Sequence, residues 1–228
     1  MSTVDWPDHL TATVFLQGCP WNCFYCHNQA LIPARTPGQV PWEEVRALLR
    51  RRRGLLDGVV LTGGEALRQD ALADAAREVI DMGFQVGLHT AGPYPRRLHD
   101  MIAAGLIDWV GLDIKALPEH YGQVVGRANA AARAWESLEV LVEAAGRGGP
   151  DFEVRTTVVP GDVTADDAVE VARRVRAAGA RVYALQQARS EGTSGEFDVV
   201  APGWDGMCER MAERIEALGW DRFTYRPA

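Results

Sequence analysis

The chain has 228 residues, of which 47% are apolar and 24% are charged. These proportions are ordinary for a globular protein and exclude a disordered, collagen-like or coiled-coil chain. The formal net charge of −7 gives the chain no general attraction to nucleic acid or to anionic membranes. No apolar run approaches the roughly 18 residues that span a bilayer, and the N-terminus lacks a signal-peptide pattern. We therefore expect a cytoplasmic protein with neither nucleic acid nor membrane as a partner.

Short runs rich in β-branched residues alternate along the chain with longer runs rich in Ala, Arg, Glu and Leu. The predicted strands are Thr11–Gln17, Gly58–Thr62, Phe84–His89, Trp109–Asp113, Phe152–Val158 and Arg181–Gln186. The predicted helices are Trp42–Arg52, Gln69–Met82, Pro95–Ala104, Ala130–Ala145, Asp166–Ala178 and Asp205–Leu218. Because helices separate the strands, we expect parallel pairing with right-handed crossovers.

The pattern predicts an α/β fold of six βα units. Six units are too few for a closed eight-unit barrel, so they fit a partial (βα)6 barrel with parallel strands or a doubly wound sheet. Since no linker is visible, we expect one domain over 1–228, with a core at about 11–187. The C-terminal extension, 188–228, begins with an irregular stretch, Ala188–Trp204, and ends in the last helix. In either architecture the functional site should lie at the carboxyl ends of the strands.

Three of the four cysteines follow the first strand directly, as Cys19, Cys23 and Cys26 in the spacing C-x3-C-x2-C. Thiolates on one short loop suit zinc or an iron–sulfur cluster. Zinc would need a fourth ligand, and His27 is adjacent to Cys26, so joint tetrahedral ligation would strain the backbone. Cys208 lies far away in the sequence. A four-iron cluster held by three cysteines would instead leave one iron open to a small molecule.

Polar residues follow the second and third predicted strands. Gly63 and Gly64 precede Glu65, and a glycine pair allows either a plain turn or a close approach of the backbone to a ligand. Thr90 and His89 come at the end of the third strand. Thr90 is the better candidate for a ligand contact, whereas a structural role is favoured for His89.

Charged residues lie at the ends of the fourth and fifth predicted strands. Asp113 and Lys115 are two residues apart and so point to the same side. They could offer a carboxylate and an ammonium to one zwitterionic ligand, or pair with each other at the rim. Arg155 could bind a carboxylate bidentately or form a buried ion pair.

The segment GCPWNCFYCHN, on the loop after the first strand of a six-unit βα chain, resembles the radical S-adenosylmethionine (SAM) superfamily. The resemblance implies a [4Fe–4S] cluster on Cys19, Cys23 and Cys26, whose fourth iron chelates the amino and carboxylate groups of SAM. One electron from such a cluster cleaves SAM and yields a 5′-deoxyadenosyl radical. Tyr25 corresponds to a residue that contacts adenine.

The strand-end motifs fit the same resemblance and supply the other SAM contacts. It implies that the Gly63-Gly64-Glu65 motif accepts hydrogen bonds from the ammonium group of SAM. It also implies SAM contacts for Thr90, Asp113, Lys115 and Arg155, the last with the methionyl carboxylate. The chain departs from the family's Asp-Thr-Asn-Gly pattern at His89 and Ala91, so the resemblance assigns no role to His89 and does not settle whether a cation binds there.

Within the superfamily the chain most resembles the activating proteins of anaerobic ribonucleoside-triphosphate reductases, on the segments GCPWNCFYCHN, RRRGLLDGVVLTGGEALRQ and VGLDIKA. This implies an oxidoreductase that installs a glycyl radical on the reductase and takes electrons from reduced flavodoxin or ferredoxin. One alternative is a radical SAM enzyme that acts on a small molecule in biosynthesis. A further alternative is a non-catalytic electron carrier or a zinc-binding module. In such a protein the motifs at the strand ends would have no function and their presence would be a coincidence.

A run of four arginines, Arg50–Arg53, falls at the predicted end of the first helix. Cations are favourable at a helix C-terminus, so a solvated helix end explains the run. Docking onto an acidic partner protein is the alternative.

Overall fold

A computed structural model describes residues 1–189, 193 and 201–228. In these ranges seven parallel strands follow one another in chain order across one sheet. The strands are β1 Thr11–Leu16, β2 Gly58–Gly63, β3 Gln85–Thr90, β4 Trp109–Asp113, β5 Asp151–Val158, β6 Val182–Gln187 and β7 Arg222–Arg226. Within this part of the chain β1 and β7 do not pair, so the sheet stays open. The predicted α/β class and partial parallel barrel are confirmed.

The connections between strands carry seven α-helices in the described ranges. They are α1 Trp42–Arg51, α2 Leu72–Asp81, α3 Pro95–Ala103, α4 Tyr121–Val125, α5 Ala130–Ala145, α6 Val163–Ala177 and α7 Trp204–Glu216. Helix α6 begins three residues before the predicted Asp166, because the Asp162 side chain caps it by accepting a hydrogen bond from Thr164 N at 2.8 Å. No helix in these ranges is long and apolar enough to cross a bilayer.

Two elements were not predicted. Helix α4 has only 5 residues, and the strand β7 has 5 residues of alternating polar and apolar type directly after the last helix. Helix α4 is too short to give a helical period, and β7 lies outside the repeating strand–helix pattern on which the prediction rested. Most of the irregular stretch predicted at 188–204 lies outside the described residues. A single domain over 1–228 stays a prediction.

A small second core lies inside the barrel, apart from the main core between sheet and helices. It consists of Trp6, Val60 and Trp109, and Trp6 is 4% exposed. The Trp6 ring stacks on Trp109 with centroids 5.6 Å apart. It occupies space left by two glycines, since a Cβ on Gly87 would lie 2.7 Å from the ring and one on Gly58 3.1 Å. The N-terminal segment therefore closes the inside of the barrel near the amino ends of the strands.

Replacing Trp6 by Ala should lower the free energy of unfolding by about 3–5 kcal/mol, because it empties a closely packed site. The matched control is Val4→Ala in the same segment, since Val4 is 77% exposed and should cost almost nothing. Urea unfolding of both variants measures the difference. Equal stabilities would show that the N-terminal segment does not pack as described.

Candidate active site

The loop after β1 carries the three clustered cysteines. Cys23 is buried, Cys19 and Cys26 are half-buried, and all three are free thiols. Backbone hydrogen bonds hold the loop at its start and near its middle, from Cys19 N to Ile32 O at 3.0 Å and from Asn22 N to Val125 O at 3.0 Å. The second bond ties the loop to the end of α4. The three thiols are thus presented on one segment that is fixed from two sides.

The three thiols of the loop lie near one another and could bind one metal centre. Cys23 is close enough to interact electrostatically with both Cys19 and Cys26. Three cysteine thiolates on one short segment are the donors that iron–sulfur clusters take, so this donor set fits the cluster.

Burial governs the protonation of these thiols. It raises the pKa of Cys19 to about 12 and also raises the pKa of Cys23. Since only thiolates bind iron, assembly of a cluster on this loop must release protons.

The Gly63-Gly64 pair brings the chain after β2 into backbone contact with the chain after β1. A Cβ on Gly63 would lie 2.2 Å from Leu16 N, and one on Gly64 would lie 2.6 Å from Gly18 O. Gly64 N donates to Leu16 O at 2.9 Å, and Glu65 N donates to Gly18 O at 3.0 Å. Neither position tolerates a side chain without moving the cysteine loop.

Glu65 links this contact to the end of β3. Its carboxylate is 2% exposed and accepts hydrogen bonds from Leu67 N at 3.1 Å, Thr90 Oγ1 at 2.8 Å and Ala91 N at 3.1 Å. Burial raises the pKa of Glu65 to about 7 despite these donors. A carboxylate has about four acceptor positions, so three donors leave room for another. The predicted contacts of Glu65 and Thr90 with SAM stay predictions.

Asp113, Lys115 and Arg155 form one ionic group at the ends of β4 and β5. Arg155 Nε lies 2.9 Å from Asp113 Oδ1, and Lys115 Nζ lies 3.2 Å from Asp113 Oδ2. Burial opposes ionisation of Asp113, but the two cations outweigh it and hold its pKa well below the usual value. Gly111 makes this possible, because a Cβ there would lie 2.7 Å from the Arg155 guanidinium. The SAM-binding roles predicted for these three residues remain predictions.

Tyr25 belongs to the cysteine loop, and its side chain reaches toward this ionic group. Its side chain is 4% exposed, and Lys115 Nζ lies 5.5 Å from the centre of its ring. In the part of the chain that is described, the Tyr25 hydroxyl has no group in hydrogen-bond geometry. The Lys115 ammonium acts on this hydroxyl electrostatically and partly offsets the effect of its burial.

His89 has a structural partner that the sequence did not reveal. Its Nε2 lies 2.6 Å from the backbone oxygen of Asp5, and a carbonyl can only accept, so Nε2 carries the proton. Burial, followed by the nearby Arg155 charge, lowers the pKa of His89 to about 3. The Asp5 carboxylate accepts from Thr13 Oγ1 at 2.7 Å. The inward position of the N-terminal segment had no signal in the sequence, so Asp5 was not foreseen here.

Residues 13–175 match the Radical SAM superfamily, which is more than half of the chain. The fold and the cysteine loop thus define the class, and the chain belongs to the radical SAM superfamily. Its cofactors are a [4Fe–4S] cluster and S-adenosylmethionine, as predicted.

Two curated proteins resemble the chain in sequence. A Methanocaldococcus jannaschii protein, provisionally named a glycyl-radical enzyme activating enzyme, is 29% identical over 191 residues, which are 82% of this chain and 76% of that protein. The pyruvate formate-lyase-activating enzyme of Clostridium pasteurianum is 33% identical over 97 residues, which are 40% of each chain.

Solved structures resemble the chain in fold. SuiB of Streptococcus suis, bound to the precursor peptide SuiA, superposes with a TM-score of 0.73 at 12% identity, over 94% of this chain and 48% of that chain. The structure of anSMEcpe with bound AdoMet superposes with a TM-score of 0.68 at 13% identity, over 94% of this chain and 63% of that one. This chain therefore spans about half the length of SuiB. At these identities the likeness shows the fold alone.

Cys23→Ala should yield a folded protein that cannot assemble a complete cluster, because it removes one of three ligands. Cys208→Ala is the matched control, since Cys208 is also a buried free thiol but lies on α7. Iron content and visible absorbance after anoxic reconstitution measure the effect. A complete cluster in Cys23→Ala would remove this cysteine from the ligand set.

The neutral, buried His89 should make stability depend on pH. Its pKa is about 3 when folded against 6.5 for the ordinary side chain, so the unfolded chain binds the proton more readily. The contribution is present above pH 6.5 and is lost as the pH falls from 6.5 toward 3. The loss should be about 2 kcal/mol between about pH 7 and pH 5.

His89→Gln tests this dependence, because the Gln amide can still donate to Asp5 O but does not titrate. Urea unfolding at several pH values should show a shallower decline for the variant than for the unaltered protein. Parallel curves would mean that His89 is as easily protonated in the folded state as in the unfolded one.

Proposed function

We propose that the protein is the activating enzyme of an anaerobic ribonucleotide reductase, on which it installs a glycyl radical. The observation that carries the activase part is the similarity over 82% of the chain to the M. jannaschii protein named for that activity. The reductase as the particular target comes from the motifs GCPWNCFYCHN and VGLDIKA.

In this proposal each group at the strand ends has a defined task. Bound at this site, the cluster and SAM supply the 5′-deoxyadenosyl radical that removes a hydrogen atom from the target glycine. The ligands of the cluster are Cys19, Cys23 and Cys26. The contacts to SAM are Tyr25, Gly63, Gly64, Glu65, Thr90, Asp113, Lys115 and Arg155.

The charges of the site suit a zwitterionic ligand. Glu65 has an acceptor position left for an ammonium group, and its burial makes that pairing strong. Asp113 fixes the Arg155 side chain, whose guanidinium can then offer its remaining N–H groups to a carboxylate. Tyr25 gains a partner for its hydroxyl when a polar ligand fills the space beside it.

The open side of the sheet supports a protein loop as the substrate. Phe15 on the edge strand β1 is 54% exposed. It lies on the same face as Thr13, whose hydroxyl contacts Asp5 inside the barrel, so Phe15 borders the opening. The Trp6 cluster fills the amino end of the interior, which leaves the opening and the carboxyl ends of the strands for access. A peptide segment that carries the target glycine could enter there.

We also propose reduced flavodoxin or ferredoxin as the electron donor, since the cluster must receive one electron for each molecule of SAM that is cleaved. We further propose a cytoplasmic location, because four free cysteines are typical of a reducing compartment.

The test is an anoxic reaction of the reconstituted enzyme with SAM, reductant and the anaerobic reductase of the same organism. Electron paramagnetic resonance should show a glycyl-radical doublet that requires SAM. The control is a reductase whose target glycine is replaced by alanine, which should give no doublet. Formation of 5′-deoxyadenosine without a doublet would contradict the reductase as target and favour a small-molecule substrate.

A further inference from the structure

We propose that three arginines around the cysteine loop form a docking surface for an acidic, low-potential electron-carrier protein. We call this surface the basic rim, and it consists of Arg35, Arg68 and Arg127. Such a surface would deliver the electron to the cluster, so it rests on the proposed protein electron donor and not on which substrate receives the radical.

The three arginines come from three segments that meet at the cysteine loop. Arg127 Nε donates to Pro20 O at 3.1 Å. Arg68 lies against the start of the loop, since a Cβ on Gly18 would be 3.1 Å from Arg68 Nη1. The same Cβ would be 3.2 Å from the Cα of Ala34, which precedes Arg35. The basic rim therefore borders the loop that holds the cluster.

The charges of the basic rim are not neutralised by the described residues. Within those ranges, no carboxylate lies within 4.0 Å of Arg35, Arg68 or Arg127. Other surface arginines do form ion pairs, as Arg147 does with Glu143 at 2.6 Å. Arg35 and Arg127 are also exposed. In a chain with a net charge of −7, this leaves a local positive surface beside the cysteines.

Charge and position together favour an electron carrier as the occupant. Electron transfer requires a short path, and Cys19 and Cys26 are only half-buried, so a protein docked on the loop comes close to the cluster. Redox partners meet through small, transient interfaces, for which opposite charge supplies steering and orientation. In the step itself one electron passes from the reduced carrier to the cluster, so the carrier is oxidised and the cluster reduced by one electron.

The arginine run Arg50–Arg53 is less suited to this task. It lies at the end of α1, which leads into Gly58 at the start of β2. That is the amino end of the sheet, opposite the cysteine loop. Arg53 is nevertheless exposed and lacks a carboxylate within 4.0 Å among the described residues, so it provides a control with the same charge.

The test compares Arg35→Glu and Arg127→Glu with Arg53→Glu, each in the reconstituted enzyme. Calorimetry with an acidic flavodoxin should give a dissociation constant about tenfold higher for the two rim variants at low salt, and the difference should vanish at high salt. The control should bind like the unaltered enzyme. Equal affinities for all variants would overturn the proposal.

A second readout separates docking from the chemistry. SAM cleavage driven by reduced flavodoxin should fall in the rim variants, whereas cleavage driven by dithionite should be unchanged, because that small reductant needs no docking surface. If both fall together, the arginines hold the loop and do not dock a carrier. If the rim variants keep flavodoxin affinity but bind the reductase less tightly, the surface serves the substrate protein, which also overturns the proposal. Failure to form a glycyl radical would affect the proposed function alone.

Discussion

The site depends on one backbone contact, between the chain that leaves β1 and the chain that leaves β2. Gly63 and Gly64 permit it, since any Cβ there would collide with backbone atoms of Leu16 or Gly18. Through it the cysteine loop is tied to Glu65, and the Glu65 carboxylate is tied to the end of β3 by Thr90 and Ala91. The glycine pair therefore positions the cysteine loop.

The second feature on which the site depends is a group of charged side chains inside the open barrel. Asp113 is held between Arg155 and Lys115, and Gly111 leaves the room that the guanidinium needs. Removing one member of such a group would leave a buried charge without its partner, which costs more than an exposed pair ever contributes. The geometry of this group is therefore set by its own ion pairs.

The sequence predicted the parallel α/β fold, the cysteine loop and the position of every strand-end motif, because those signals are local. It did not predict the role of Gly63 and Gly64 in backbone contact, since that depends on the register between β1 and β2. Nor did it predict that Trp6 fills the space above Gly58 and Gly87. A lone tryptophan in an acidic segment and two separate glycines carry no joint pattern along the chain. Strand β7 was missed because it lies outside the repeating strand–helix pattern, since β4 is equally short and was predicted.

We propose that three thiols of one loop hold a four-iron cluster whose remaining iron binds SAM. The decisive measurement is Mössbauer spectroscopy of the enzyme reconstituted with ⁵⁷Fe. Adding SAM should shift the spectrum of one iron and leave the other irons of the cluster unchanged. A spectrum that does not respond to SAM, or a cluster whose irons all respond alike, would show that no single iron is open to SAM.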